Sequence, residues 1–155
     1  MLVERAKHLL ETSGVAYETL PHREAFTAQG VASAVHVSGW QLAKVLVVRA
    51  DHEEPIMVVL PASCRLDLTA LARVLDHPAV SLVPEEKIKE LFPDCETGAM
   101  PPFGQLYGMQ VYVDKCFPKA GDFAFQAGNH HEIVRMSYAD FERVARPSVA
   151  DFCRH

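Results

Sequence analysis

The 155-residue sequence lacks the local motifs by which many enzymes are recognised. It contains no G-x-S-x-G turn for a serine nucleophile, no phosphate-binding P-loop and no G-x-G-x-x-G fingerprint. It also has no C-x-x-C pair and no H-x-x-x-H spacing, so we expect neither a metal site nor a cofactor. Serine-triad hydrolysis, nucleotide hydrolysis and dinucleotide redox chemistry are therefore disfavoured.

Long apolar runs and an excess of positive charge are also missing. No run reaches the roughly 20 residues that a membrane-spanning helix needs, and the first residues lack the apolar centre of a signal peptide. The formal net charge is -5, which is not typical of a protein that coats long nucleic acid. We expect no membrane partner, whereas contact with one end of an RNA stays open.

The cysteines, at positions 64, 95, 116 and 153, are widely separated. This pattern is typical of reduced thiols in the cytoplasm and not of a disulfide framework. We therefore expect a cytoplasmic protein. Thiol chemistry at Cys64 or Cys95 is a weaker alternative, because free cysteine is more often an inert small hydrophobic residue.

The length predicts a single domain at residues 1–147, followed by a loose tail at 148–155. Helices are predicted at residues 2–12, 27–35 and 68–75, from 84 to about 92, and after Ser137, with Thr27, Asp67 and Ser137 as N-caps. Strands are predicted at residues 15–20, 45–48, 56–60, 80–83, 110–114, 123–128 and 132–136. Because helices and strands do not alternate strictly, the sequence predicts a mixed α+β fold.

Two continuous apolar runs, at residues 45–48 and 56–60, are predicted to be adjacent central strands, joined as a hairpin. Lys44 directly precedes the first run. A lysine at the mouth of a buried sheet offers a cation for a phosphate or a developing oxyanion. A lysine that only extends its amine into solvent is the commoner case.

Residues 97–104 combine two glycines with two adjacent prolines and a phenylalanine. Proline restricts φ and glycine permits unusual backbone conformations, so this segment is predicted to be a stiff loop. We expect the amides of Gly98, Ala99 and Met100 to face a carbonyl or phosphate oxygen. A tight surface turn is the alternative.

Histidines supply the remaining candidates. Asn129, His130 and His131 follow a glycine between two predicted strands. Since neighbouring residues of an extended chain point to opposite faces, at most one of these histidines is expected to face a site. His22 is a similar lone candidate, and a histidine bonded within its own loop is the default for each.

Together these segments resemble the YbaK / prolyl-tRNA synthetase-associated editing domain family. Residues 41–48 are similar to its lysine-bearing strand, residues 98–104 fit its G-x-x-x-P-F-G loop, and residues 127–130 with Ser137 resemble its closing segment. The resemblance covers nearly the whole chain. It implies a mixed, partly barrel-like sheet flanked by helices.

Most members of that family are free-standing deacylases that hydrolyse the ester between a tRNA and a wrong amino acid. The resemblance implies that Lys44 holds the terminal adenosine or phosphate of the acceptor end. It implies that Gly98 and its loop hold the aminoacyl carbonyl through backbone amides, so that Lys44 and Gly98 are the catalytic pair. The implied substrate-binding residues are Ala99, Met100, Pro101, Pro102, Phe103, Gly104, His22, Asn129 and His130.

The implied partner is the CCA end of a charged tRNA, with an aminoacyl-tRNA synthetase as a second candidate partner. We expect a small amino acid (Ala, Ser, Thr or Cys) and tRNA for proline. The sequence departs from its relatives at Val45, which replaces a small polar residue, and at Met100 and Pro101, which should alter the amino-acid pocket. A non-catalytic module that binds aminoacyl-tRNA or a synthetase is the alternative.

Overall fold

The structure is a computed structural model that describes residues 2–22 and 37–154. The predicted helix at residues 27–35, with Thr27 as its N-cap, lies outside the described residues. The described residues form four α-helices and ten β-strands, and none of those helices is long and apolar enough to cross a bilayer. The prediction of a mixed α+β fold is confirmed.

Two of the four described helices begin at a side chain that bonds to the first turn. They are α1 (Glu4–Thr12), α2 (Leu68–Leu75), α3 (Glu85–Leu91) and α4 (Tyr138–Ala145). The Asp67 carboxylate accepts a hydrogen bond from the Ala70 amide at 3.1 Å, and the Ser137 hydroxyl accepts one from the Asp140 amide at 3.1 Å. Both predicted N-caps are confirmed. Pro84 is the N-cap of α3 and not its first residue, because its ψ of 152° is extended.

The strands form three sheets. Their bounds are β1 (Glu18–Pro21), β2 (Ala43–Arg49), β3 (Ile56–Pro61), β4 (Arg65–Leu66), β5 (Ser81–Leu82), β6 (Val111–Asp114), β7 (Asp122–Gln126), β8 (Glu132–Ser137), β9 (Ser148–Ala150) and β10 (Cys153–Arg154). The first strand begins later than predicted and includes Pro21. The sheet tolerates this proline because β1 is an edge strand.

The largest sheet has the order β5-β2-β3-β6-β9. The predicted hairpin of β2 and β3 is confirmed: the two strands are antiparallel, with Val45 opposite Val59. β6 runs parallel to β3 and to β9, so the sheet is mixed. A second, antiparallel sheet has the order β1-β8-β7. One parallel bridge, between Leu42 and Ala124, joins the two sheets, and among the described residues they do not close into a barrel.

Aromatic side chains fill the space between these sheets and α4. The rings of Phe123 and Phe141 stack with their centroids 4.1 Å apart, and Phe103 meets Phe125 edge-on at 5.3 Å. Such pairs contribute about 0.5–1.5 kcal/mol beyond the area they bury. The loop that carries Phe103 is therefore fastened to the main core. This anchoring positions the candidate site described below.

Residues 148–154 are packed against the body of the protein, so the prediction of a loose tail is wrong for them. β9 pairs with β6, and β10 pairs with β4. Phe152 between them is fully buried, and its amide donates to the Asp114 carboxylate at 2.9 Å. The two C-terminal strands are too short to show a period in the sequence, which explains why the prediction failed.

A disulfide between Cys64 and Cys153 corrects the prediction that all thiols are reduced. The two residues are 89 positions apart, and the pairing of β4 with β10 brings their Cα atoms to 5.7 Å. Sequence spacing could not reveal this proximity, because it depends on how the end of the chain returns to the sheet. Cys95 and Cys116 retain their thiols.

The packed C-terminal segment leads to a stability prediction. Phe152→Ala should lower the free energy of unfolding by about 3–5 kcal/mol, because it leaves a cavity in place of a buried ring. Val149→Ala is the matched control: its side chain is 48% exposed, so its change should stay within about 0.5 kcal/mol. Urea unfolding, with the disulfide kept oxidised in both variants, measures the difference. If Phe152→Ala changed the free energy of unfolding as little as Val149→Ala does, residues 148–154 would not contribute to the core.

Candidate functional site

The loop of residues 97–104 is stiff because most of it is buried. The side chains of Ala99, Met100 and Phe103 belong to the core, so these residues can reach a ligand only through their backbone. At Gly104 an added Cβ would lie 2.7 Å from the carbonyl oxygen of Met109, so the downstream end of the loop fits closely against its neighbour. Gly98, with a φ of 87°, is the exposed residue at the open end.

Backbone bonds join this loop to the segment that contains the predicted histidines. The Gly128 amide donates to the Ala99 carbonyl at 2.9 Å, and the Glu96 amide donates to the Gly128 carbonyl at 2.8 Å. The Glu96 carboxylate in turn accepts from the His130 amide at 3.0 Å. The structure therefore brings two segments that are distant in the sequence into contact. Glu96, which contributes to both, was not predicted.

The His130 ring bonds to the backbone of the loop. Its Nε2 lies 2.9 Å from the Thr97 carbonyl oxygen, and since a carbonyl can only accept, this nitrogen carries the proton. The side chain is only 3% exposed. Of the two adjacent histidines, His130 is the one that faces the loop, while His131 is exposed.

The predicted amide donors are only partly available. The Ala99 amide donates to the Glu96 carbonyl at 3.1 Å, so the expectation that it faces a ligand is wrong. Within residues 2–22 and 37–154, the amides of Gly98 and Met100 form no hydrogen bond to the protein. These two N–H groups lie on either side of the Ala99 amide, which is already bonded to the protein. The backbone that carries them is held in place by its neighbours.

Gln126, at the end of β7, is a further polar group beside the loop that the sequence did not indicate. Its Nε2 donates to the Gly98 carbonyl at 3.4 Å, which orients the amide so that Oε1 points the other way. The side chain is 6% exposed, and Oε1 has no hydrogen-bond partner among the residues that the structure describes. A buried acceptor of this kind is costly unless a water or ligand donates to it.

Lys44 projects from the face of β2 that is turned away from the main core. Its neighbours Ala43 and Val45 belong to that core, and side chains alternate along a strand. The Lys44 ammonium donates to the Cys64 carbonyl at 2.6 Å. Burial lowers the pKa of Lys44, and the nearby positive charge of Arg65 lowers it further.

Topology places Lys44 and Gln126 on the same face. The bridge between Leu42 and Ala124 is parallel. Lys44 and Gln126 each lie two residues further along their own strand. Both therefore project from the face that carries Leu42 and Ala124, and β2 contacts β7. Gln126 in turn bonds to Gly98, so the open end of the loop adjoins one of these two residues.

The other predicted residues lie at the edge of this region. The His22 amide donates to the His131 carbonyl at 2.7 Å, which ties the end of β1 to the histidine segment. The Asn129 side-chain oxygen accepts from the His131 amide at 2.8 Å and so shapes the turn. Both residues thus help to hold the segment that supports the loop.

Thiol chemistry has little support in this structure. Cys64 is in a disulfide, and burial raises the pKa of the Cys95 thiol to about 11. A thiol with that pKa is almost entirely protonated at neutral pH, and the thiolate is the reactive form. The alternative of a cysteine nucleophile at Cys64 or Cys95 is therefore disfavoured.

Comparisons with known proteins identify relatives of this chain. The chain is 26% identical over 155 residues to the multifunctional Ser/Thr-tRNA deacylase ProXp-y of Escherichia coli (strain K12), covering 97% of this chain and 92% of that protein. A solved structure of a candidate trans-editing enzyme for prolyl tRNA synthetase superposes with a TM-score of 0.85 at 22% identity, covering 99% of this chain and 97% of the other.

The structure of hypothetical protein APE2540 gives a TM-score of 0.86 at 19% identity, over 97% of this chain and 99% of the other. These two likenesses establish the fold. The sequence pattern of the aminoacyl-tRNA editing domain matches residues 22–144, which include Lys44, the loop and the histidine segment. The family resemblance seen in the sequence is confirmed, and the chain belongs to the aminoacyl-tRNA editing domain family.

Proposed function

We propose that this protein is an aminoacyl-tRNA deacylase, which hydrolyses the ester between an incorrect amino acid and the acceptor end of a tRNA. The observation that carries the proposal is the parallel bridge that puts Lys44 on the same face as Gln126, whose side chain bonds to the Gly98 end of the loop. Membership of the editing family supports it. Since tRNA charging takes place in the cytoplasm, the proposed location is cytoplasmic.

Lys44 and Arg65 are suited to hold a phosphate of the terminal nucleotides. Burial lowers the pKa of Lys44, and the positive charge of Arg65 lowers it further. A bound phosphate would offset the repulsion between the two cations. The Cys64 carbonyl fixes the amine with one of its three N–H groups. The others can therefore bind substrate without a large loss of side-chain entropy.

The amides of Gly98 and Met100 are suited to bind the carbonyl oxygen of the ester. A water molecule adds to the carbonyl carbon, and the oxygen gains negative charge, which fixed N–H dipoles stabilise. When the intermediate collapses, the ribose oxygen leaves with the proton that the water has lost. The products are a free amino acid and a tRNA with an intact terminal hydroxyl. An aminoacyl ester is already reactive, so positioning and charge stabilisation suffice without a nucleophilic triad.

Gln126 is suited to bind the amino group of the substrate. Its buried Oε1 can accept a hydrogen bond from the α-ammonium, a group that every aminoacyl ester carries. The amide also bonds to Gly98, so the same side chain would align the ammonium with the loop that holds the carbonyl. This contact selects for aminoacyl esters as a class and not for one amino acid.

The proposed substrates are small amino acids (Ala, Ser, Thr or Cys) on tRNA for proline. The similarity to a Ser/Thr-tRNA deacylase supports a small, hydroxylated residue. The similarity to a candidate trans-editing enzyme for prolyl tRNA synthetase supports the choice of tRNA and the synthetase as a partner. The Met100 side chain packs in the main core, so its effect on the amino-acid pocket would act through the position of the backbone.

The role of Lys44 is tested with a panel of tRNAs charged with Ala, Ser, Thr or Cys. Lys44→Ala should lower kcat/KM for deacylation by about 10²–10³-fold, the range seen when one transition-state donor is removed. Lys87→Ala is the control, because Lys87 is exposed on α3 and pairs only with Glu90 in the described structure. Its rate should match the parent protein.

Two outcomes of that panel would contradict the proposal. Equal rates for Lys44→Ala and the parent would remove Lys44 from the mechanism. Tight binding of a non-hydrolysable aminoacyl-adenosine analogue, without turnover of any charged tRNA, would identify a non-catalytic binding module instead.

The lowered pKa of Lys44 predicts a pH effect. The ammonium loses its proton at a lower pH than an exposed lysine does, so kcat/KM should decline earlier on the alkaline side. Lys44→Arg keeps the charge at every accessible pH, so any activity that it retains should lack this decline. The measurement is the pH profile of both proteins after subtraction of uncatalysed ester hydrolysis. A decline identical in both belongs to the substrate's amino group and would refute the assignment.

The role of Gln126 is tested with Gln126→Met, which keeps the length of the side chain and removes the acceptor. A lost hydrogen bond to a charged group costs about 1.5–3 kcal/mol, so kcat/KM should fall about 10–100-fold for all amino acids alike. Gln105→Met is the control, since the Gln105 Nε2 also bonds to a backbone carbonyl, that of Val144 at 2.9 Å.

A substrate without the ammonium separates binding from loop support. N-acetylated aminoacyl-tRNA should be a poor substrate for the parent protein, and Gln126→Met should cause no further loss on it. A further loss as large as that on the free-amine substrate would show that Gln126 only holds the loop.

A further inference from the structure

A cluster of three sulfur atoms includes that of Cys64, the residue whose carbonyl holds the Lys44 ammonium. The Sγ atoms of Cys64, Cys116 and Cys153 all lie within 4.8 Å of one another. Cys64 is buried and the other two are partly exposed. The cysteines come from three distant parts of the chain, and spacing in the sequence gave no sign that they meet.

A buried carboxylate holds two of the segments that carry these sulfurs. One oxygen of Asp114 accepts from the Cys116 amide at 2.8 Å, and the other accepts from the Phe152 amide at 2.9 Å, next to Cys153. Asp114 is fully buried. The third segment is tied to the same place, because the Asp67 amide donates to the Phe152 carbonyl at 2.8 Å. The position of the sulfurs therefore does not depend on the disulfide alone.

We propose that Cys64, Cys116 and Cys153 in their reduced form bind one thiophilic metal ion of the zinc class. Zinc binds thiolate at about 2.3 Å with tetrahedral geometry, which places two thiolate sulfurs roughly 3.8 Å apart. The observed cluster is compact enough to reach this arrangement with small side-chain movements. The partly exposed side of the cluster leaves the fourth position to water. Soft sulfur ligands favour zinc or copper(I) over magnesium or calcium.

The disulfide and the metal are mutually exclusive states of the cluster. A dithiol reductant gives two electrons and two protons to the Cys64–Cys153 bond and becomes a disulfide itself. The metal then binds three thiolates, and three protons leave to solvent. With the disulfide intact, only the Cys116 thiol remains in the cluster, which is too few ligands for a stable site.

The test uses the full chain, reduced with a dithiol and desalted without oxygen, and zinc as the probe. Titration against a chromophoric chelator should show one ion per chain for reduced protein and none for oxidised protein. Cys116→Ser should weaken binding at least tenfold. Cys95→Ser is the matched control, because Cys95 is a thiol of similar exposure outside the cluster, and it should bind as the parent does.

A measurement on the parent protein avoids any effect of a substitution on folding. Zinc should slow alkylation of Cys116 by iodoacetamide and leave that of Cys95 unchanged, as followed by mass spectrometry of the peptides. Cobalt(II) in place of zinc should give the intense near-ultraviolet absorption of sulfur–cobalt charge transfer. Less than one ion per reduced chain, equal binding by Cys116→Ser, or equal protection of both thiols would overturn the proposal.

Discussion

The hydrogen bond from the Lys44 ammonium to the Cys64 carbonyl is the interaction on which the proposed site depends. A half-buried ammonium is costly unless a polar group replaces part of its hydration. The hairpin of β2 and β3 provides that group, because the turn after β3, closed by the Cys64 amide on the Pro61 carbonyl, brings residue 64 back beside β2. This hydrogen bond fixes the Lys44 ammonium of β2 relative to the turn after β3, so the amine is oriented before any substrate binds.

The loop of residues 97–104 is also held in a fixed position, in this case by packing and backbone hydrogen bonds. Its apolar side chains are part of the core, and its backbone is bonded to residues 128–130 on one side and to Gln126 on the other. What remains for a ligand is a short stretch of amides at an exposed glycine. A stiff frame with a few open donors suits a reaction that needs positioning more than chemical activation.

Local patterns in the sequence predicted much of this structure. The apolar runs specified the hairpin, Asp67 and Ser137 marked two helix starts, and proline with glycine marked the loop, because each signal lies within a few residues of its effect. Gln126, Glu96 and the sulfur cluster could not be predicted in this way, since their neighbours come from strands that only the fold brings together. The same is true of the C-terminal segment, whose short strands leave no period to detect.

The close fit at Gly104 has a consequence for how such a protein can change its substrate preference. No side chain can be added there without displacing the backbone at Met109, and the adjacent Phe103 is locked among aromatic rings. The downstream half of the loop, at Phe103 and Gly104, is therefore rigid and tolerates little change. Evolution of selectivity has more room upstream, at the partly exposed Thr97. A side chain at Gly98 would be strained by its φ of 87° and would contact the His130 ring.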